Sequence, residues 1–311
     1  MKVISRTEEH NIATVFVAEN DKGRRFEFVE STQPPMDISK KWVLILSTLY
    51  GCPVDCSFCD AGGDYSGKLT AKEIFFQIDY LVKHRFPSGM PETEKFKIQF
   101  ARMGEPSFNP AVLEVLEQFP ARYPVNNFVG SLSTIAPHGT DAFFGRLLKI
   151  KKALYDLSFQ LQFSLHSTDE DQRNALMPVK KWDFKKMAGY GRIFYTPGGR
   201  KNTLNFALGK DSILEPGKLL DHFRPDLFII KITPVNPTSK ALRNGIDSLV
   251  VREENNYPVV DALRDAGYEV ILSIGEWEEN RIGSNCGQYI RALDESCDVP
   301  AGSYVLKLRD M

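Results

Sequence analysis

Trp42-Val43-Leu44-Ile45-Leu46-Ser47 is a continuous apolar run that leads within five residues to Cys52-Pro53-Val54-Asp55-Cys56-Ser57-Phe58-Cys59. An uninterrupted apolar stretch suits a strand covered on both faces, as in a parallel sheet. The loop behind it packs three thiols into eight positions, spaced C-x3-C-x2-C. After the loop, Thr70 and Glu73 form a capping box for a helix whose Ile74, Phe75, Ile78, Leu81 and Val82 mark one face. Further strands are expected at 96–101, 128–133, 159–164, 203–208, 227–232 and 268–273. Asn109 as cap and Pro110 at the first position open one intervening helix, and Gly267 stops another at 257–266. Six or seven strand–helix units predict a parallel sheet, open or closed into a barrel.

The first 41 residues break this rhythm. Residues 14–19 and 25–30 flank Asn20-Asp21-Lys22-Gly23, a hairpin signal. The expected organisation is a β-hairpin extension at 1–41, a core barrel at 42–295 and a tail at 296–311, with no internal repeat.

At 311 residues, 42% hydrophobic and 25% charged, the composition excludes disordered and collagen-like classes. Lysine plus arginine (39) against aspartate plus glutamate (40) argues against polyanion binding driven by bulk charge. Locally, 141–210 carries a surplus of 7 positive charges, dominated by Lys149, Lys151, Lys152, Lys180, Lys181, Lys185 and Lys186. These residues form either solvated helix faces or a phosphate-contacting rim. The odd set Cys52, Cys56, Cys59, Cys286 and Cys297 is unlike a secreted disulfide framework. With no apolar leader and no run long enough to span a membrane, the expectation is a reducing, cytoplasmic setting without membrane contact.

Three thiolates this close in sequence can converge on one metal centre. Structural zinc wants four ligands, and none lies nearby, so a zinc reading must recruit distant Cys286. An iron–sulfur cubane held by only three cysteines keeps one iron open for an outside ligand. The spacing resembles the radical SAM superfamily, in which Cys52, Cys56 and Cys59 would hold a 4Fe-4S cluster that chelates S-adenosyl-L-methionine. The ordered set Met103-Gly104-Glu105-Pro106 with Asn109, Ser131-Leu132-Ser133-Thr134, Phe163-Ser164-Leu165-His166, Arg173, Met177-Pro178, Pro234-Val235-Asn236-Pro237 and Cys286-Gly287-Gln288 is similar to the RlmN/Cfr family of radical SAM RNA methylases. The similarity covers roughly 12–290.

It implies a partial (β/α)6 TIM-like barrel, a 5′-deoxyadenosyl radical, a reducing partner of flavodoxin or ferredoxin type, and a substrate that is RNA or nucleotide-like. All the motifs fall just past strand C-termini, where barrel enzymes assemble their sites. Gly104 permits close backbone approach, and Glu105 can accept charge-assisted bonds from an ammonium. Ser133, Ser164, Asn236 and His166 offer small donors and acceptors, and Leu165 completes the implied cofactor-binding set. By resemblance, Cys286 is the catalytic methyl carrier. A methyl group from one S-adenosylmethionine would be activated there by the radical from a second, and would add to an sp2 carbon.

The chain departs from the family in three places. Ile45 stands where the resemblance implies a second catalytic cysteine, and Arg102 where it implies a glycine. No room is seen for the family's N-terminal helical domain, and Glu8 and Glu9 lie near the place of a proton-accepting carboxylate. Direct hydrogen abstraction from a small molecule, with no methyl carrier, is the alternative reaction. A zinc-stabilised binding protein is the non-enzymatic one. The residues leave open the substrate, the oligomeric state and the role of Cys297.

Overall fold

A computed structural model describes residues 1–9, 11–32, 36–251, 256–276, 278–284, 290 and 309–310. Three antiparallel strands come first: β1 (Lys2–Glu9), β2 (Ala13–Glu19) and β3 (Arg25–Ser31). Next come β4 (Trp42–Leu46) and a small ribbon of β5 (Leu49–Cys52) with β6 (Gly63–Lys68). The remaining strands are β7 (Phe96–Phe100), β8 (Phe128–Thr134), β9 (Phe159–Ser164), β10 (Asn202–Leu208), β11 (Phe228–Pro234) and β12 (Val270–Leu272). Helices α1 (Ala71–Arg85), α2 (Ala111–Arg122), α3 (Asp141–Ile150), α4 (Glu170–Leu176), α5 (Phe184–Phe194), α6 (Pro216–Leu220), α7 (Ser239–Arg243) and α8 (Pro258–Asp265) fill the crossovers.

The main sheet runs β12-β11-β10-β9-β8-β7-β4-β3-β2-β1, with 309–310 pairing on β1. From β4 to β12 every neighbour is parallel, and β1 to β4 are antiparallel in sequence. This is the α/β parallel core expected of a partial barrel, with the sheet open among the described residues. The N-terminal strands prolong the same sheet, because Val29, Glu30 and Ser31 pair with Ile45, Leu44 and Val43.

Alternation explains the layers. Trp42, Leu44 and Leu46 of β4, Phe96, Ile98 and Phe100 of β7, and Phe159, Leu161 and Phe163 of β9 are buried in one core under the helices. Trp42 stacks on Phe96 at 5.1 Å, and its Nε1 donates to Glu30 at 3.2 Å, so its polar edge is satisfied. The intervening positions, including Lys97, Gln99, Ser133, Gln160 and Ser164, face the other way and remain half-exposed on the concave side.

The capping box of α1 is present, with Glu73 N donating to Thr70 Oγ1 at 3.2 Å and Thr70 N to Glu73 Oε2 at 2.8 Å. Two details differ from expectation. Helix α2 begins at Ala111 with Pro110 as its cap residue, while Asn109 accepts from Ala111 N at 3.1 Å and donates to Thr48 O and Leu69 O at 2.7 Å. Asn109 thus ties two loops together as well as opening the helix. Strand β1 has no apolar alternation because Ser5 and Thr7, both 4% exposed, take its buried positions.

Candidate active site

Strand β5 carries the chain from the barrel wall into the cysteine loop. Cys52 pairs with Gly63 in the ribbon, Cys59 N donates to Cys56 O at 3.2 Å, and Gly62 N to Cys59 O at 3.0 Å. The three cysteines form no disulfide and sit in an apolar pocket with Val54, Ala61, Ile135 and Met177, edged by Phe108, Leu176 and Val179. Burial pushes the Cys52 thiol up to about 11. Burial, followed by the neighbouring Cys59 and Cys52, pushes Cys56 well above the usual thiol range. Clustered thiols that cannot ionise unaided match the donor set of a cationic metal group, which would take them as thiolates. No three His, Cys, Asp or Glu side chains among the described residues converge on a single ion. Three cysteine thiols gathered on one loop are the kind of donor set an iron–sulfur cluster takes.

The loop is fastened to two barrel loops. Ser57 N donates to Leu176 O at 2.9 Å. On the other side, Thr238 Oγ1 donates to Phe58 O at 2.9 Å and Asn244 Nδ2 to Ser57 O at 2.6 Å. The fully buried Asp60 carboxylate accepts from Ser239 N and Lys240 N at 2.9 Å each, and Lys240 pairs with Asp55. Asp55 and His166 both hold a left-handed backbone (φ 59° and 62°), so strain is concentrated at this site. Sequence reasoning missed Asp60 and Lys240, since nothing in linear spacing shows which loop an aspartate will cap.

The strand-end residues fall into two groups. Glu105 and His166 are spent internally. Glu105 accepts from Ser107 N at 3.1 Å, Ser107 Oγ at 2.7 Å, Ile135 N at 2.9 Å and the Thr134 hydroxyl, joining the β7 and β8 ends; burial nevertheless raises its carboxyl. His166 Nδ1 accepts from Ala207 N at 2.9 Å and its ring meets Phe58 edge-on at 4.8 Å. Burial first, and then Arg173, lowers the imidazole to about 3, so it is neutral with its proton on Nε2. Gly104 (φ +95°) lies where a Cβ would overlap Leu49, and Leu165 turns its side chain into the core while its N–H donates to Asn205 O at 2.9 Å. In the second group, Ser133, Ser164 and Asn236 are half-exposed, and their side chains hydrogen-bond to no described residue. These three retain their full capacity for a ligand.

Cys286 and Cys297 lie outside the described residues. The flanks of Cys286 are nevertheless anchored. Arg102 Nη1 donates to Ser284 O at 2.8 Å, its Nη2 to Gly283 O, and Nη2 also lies 2.9 Å from Glu27 Oε1. Ile290 N donates to Glu27 Oε2 at 3.1 Å. Ile282 and Ile290 pack with Val15, Val17, Val29 and Ile45. Position 45 therefore lies in the same apolar cluster as both flanks of Cys286.

Glu8 and Glu9 are elsewhere. They line a cavity of about 840 Å³ with Glu30, Asp37, Arg85 and Glu276, and none of its lining residues belongs to the cysteine loop. The basic surplus is also dispersed. Lys151 reaches Thr196, Lys186 pairs with Asp141, and Lys181 donates to Asn174 Oδ1 at 2.7 Å and Met177 O at 2.9 Å beside the cysteine loop.

No family model matches the chain. A dual-specificity RNA methyltransferase RlmN from Aliarcobacter butzleri is 26% identical over 258 residues, covering 79% of this chain and 69% of that protein. A probable RlmN from Moorella thermoacetica is 28% identical over 251 residues, covering 78% and 66%. The chain is a homologue of the RlmN methyltransferases. It spans about two thirds of the length of these curated RlmN relatives. A radical SAM methyltransferase from Sphaerobacter thermophilus superposes with a TM-score of 0.67 over 92% of this chain and 80% of its own, at 20% identity, which shows the shared fold. Arg102 and Ile45 both contact described residues that flank position 286, Arg102 at Gly283 and Ser284 and Ile45 in the cluster of Ile282 and Ile290. Among the described residues no helix is long and apolar enough to cross a membrane.

Proposed function

We propose that this chain is a radical SAM methyltransferase of RlmN type, in which Cys52, Cys56 and Cys59 hold a 4Fe-4S cluster and Cys286 carries the methyl group. The observation that carries the reading is the apolar pocket of three clustered thiols, Cys52 and Cys56 with raised pKa, at the C-terminal mouth of a parallel sheet, beside strand-end side chains with unspent hydrogen-bonding capacity. When bound, the cluster and S-adenosylmethionine together supply a one-electron cleavage that yields a 5′-deoxyadenosyl radical.

The protein's own residues bind, orient and exclude water. Ser133, Ser164 and Asn236 offer hydroxyl and amide groups to the carboxylate and ribose of the cofactor. Neutral His166 braces Phe58, next to Cys59, against β10. The Glu27–Arg102 pair anchors Gly283, Ser284 and Ile290, which flank Cys286 in sequence. Free thiols suit a reducing cytoplasm, where a flavodoxin- or ferredoxin-type donor would serve.

The acceptor is an sp2 carbon in RNA or a nucleotide-like molecule, supported by the RlmN relatives. Peptide mass spectrometry after anaerobic incubation with S-adenosylmethionine and reductant tests the carrier. Methyl-Cys286 is expected. An unmodified Cys286, together with deuterium passing directly from substrate into 5′-deoxyadenosine, overturns it in favour of direct hydrogen abstraction.

A further inference from the structure

The cysteine loop holds a buried hydroxyl that bonds to no described residue. Ser57 stands between Cys56 and Phe58, and its Oγ is shut off from solvent without a hydrogen-bond partner among the described residues. Native proteins rarely keep a buried polar group in that state without a use for it. The backbone of the serine cannot move away to relieve it. Its N–H donates to Leu176 O at 2.9 Å, and its carbonyl accepts from Asn244 Nδ2 at 2.6 Å, so it is held from the α4 and α7 sides at once. Leu176 packs on the same apolar pocket as Cys56 and Cys59, which sets Ser57 at the wall of the pocket that gathers the thiols. With the backbone fixed, only rotation about χ1 can redirect the hydroxyl.

Other side-chain donors around the pocket are already committed. Lys181 has three ammonium protons and three acceptors, Asn174 Oδ1 at 2.7 Å, Met177 O at 2.9 Å and Val179 O at 3.2 Å. Thr238 Oγ1 donates to Phe58 O at 2.9 Å, and the hydroxyls of Ser107 and Thr134 donate to Glu105. The Cys52 sulfur is served by backbone N–H groups of Val54, Glu105 and Asp55. Ser57 therefore keeps a spare donor beside Cys56, while the side chains of Val54, Ala61 and Ile135 offer it no acceptor. An iron–sulfur cluster brings acceptors of the right kind, because its sulfides and cysteine thiolates take hydrogen bonds from the protein.

Resting on the 4Fe-4S assignment above, we propose that Ser57 Oγ donates a hydrogen bond to a sulfur of the cluster and raises the potential at which the cluster accepts its electron. One-electron reduction adds negative charge to the iron–sulfur core. A donor aimed at a sulfur stabilises the reduced form more than the oxidised one, and hydrogen bonds to the sulfurs are among the features that set these potentials. The hydroxyl passes on neither the electron nor a proton, so its effect is on the equilibrium alone.

Anaerobic redox titration of the full, cluster-loaded chain, followed by electron paramagnetic resonance of the reduced cluster, tests it. Ser57→Ala should keep the parental iron and sulfide and shift the midpoint downward. At a fixed solution potential the ratio of reduced to oxidised cluster should fall about threefold or more, as the loss of one ordinary hydrogen bond predicts. Ser57→Thr keeps the hydroxyl and Ser57→Val puts a methyl group of similar shape in its place, so the Val midpoint should lie below the Thr midpoint. This second pair decides the matter where Ser57→Ala holds less iron. Equal midpoints within both pairs overturn the proposal, as does a midpoint that rises when the hydroxyl is removed. A parent chain that binds no iron or sulfide overturns the cluster assignment and this proposal with it, and metal and sulfide analysis separates that result from equal midpoints.

Discussion

The Arg102 guanidinium lies 2.9 Å from the Glu27 carboxylate, with 3% and 1% of their side chains exposed, and the same two groups hold Gly283, Ser284 and Ile290. A charged pair buried this deeply is costly to break from one side only. Arg102→Met should destabilise the fold by about 3–5 kcal/mol in urea unfolding, because Glu27 keeps its charge without a partner. The double variant Glu27→Gln/Arg102→Met should be less destabilised than the sum of the single changes. Faster amide exchange at 282–284 and 290, and lower methylation of Cys286 at unchanged iron content, should accompany the loss. Unchanged exchange there would show that the pair does not hold this segment.

The cysteine loop makes a sharper prediction. Cys52→Ser, Cys56→Ser and Cys59→Ser should each lower iron and sulfide from roughly four of each per chain to a small residue. All S-adenosylmethionine cleavage should disappear with them. Cys297→Ser should leave iron content unchanged. Anaerobic metal and sulfide analysis decides this, and one zinc without sulfide would remove the cluster altogether.

His166 gives the fold a pH dependence of known sign. Its folded value of about 3 lies below the ordinary value of 6.5. Between those limits the unfolded chain binds the extra proton, so stability is complete above about 6.5 and falls as the pH drops toward 3. Each pH unit in that window costs at most about 1.4 kcal/mol from this group. His166→Gln, which can still accept from Ala207 N, should flatten the difference in unfolding free energy between pH 7 and pH 5 relative to the parent. Parallel slopes for the two proteins would rule out His166 as the source.

The sequence made the local chemistry legible. The continuous apolar run at 42–47 and the strand expected at 96–101 fall on β4 and β7, the Thr70–Glu73 spacing fixed the start of α1, and the cysteine spacing marked the apolar pocket that gathers the thiols. Pairings between distant positions were not legible. Asp60 reaches Ser239 across 179 residues, and Glu27 reaches Ile290 across 263. One-dimensional alternation gives the face a side chain takes but not the element opposite it. Arg102 looked like a lost glycine. In the structure it bonds Glu27 and the carbonyls of Gly283 and Ser284, just before Cys286.

Ile45 supplies the last test. Its side chain packs in the apolar cluster that also receives Ile282 and Ile290, the residues four before and four after Cys286. A thiol at 45 would share that cluster with the residues on both sides of the proposed methyl carrier. Ile45→Cys removes part of a half-buried side chain and should cost about 1–2 kcal/mol of stability, because the cavity it leaves is small and open on one side. Under mild oxidation the variant should form a disulfide between positions 45 and 286, seen as a linked peptide in non-reducing digests. During turnover, the same thiol could attack the carbon-linked Cys286 and release product, so adducts trapped on the parent protein should fall in the variant. Failure to form the 45–286 disulfide would place the two positions out of reach. Disulfide formation without faster release would show that the parent resolves its intermediate by a route independent of this position.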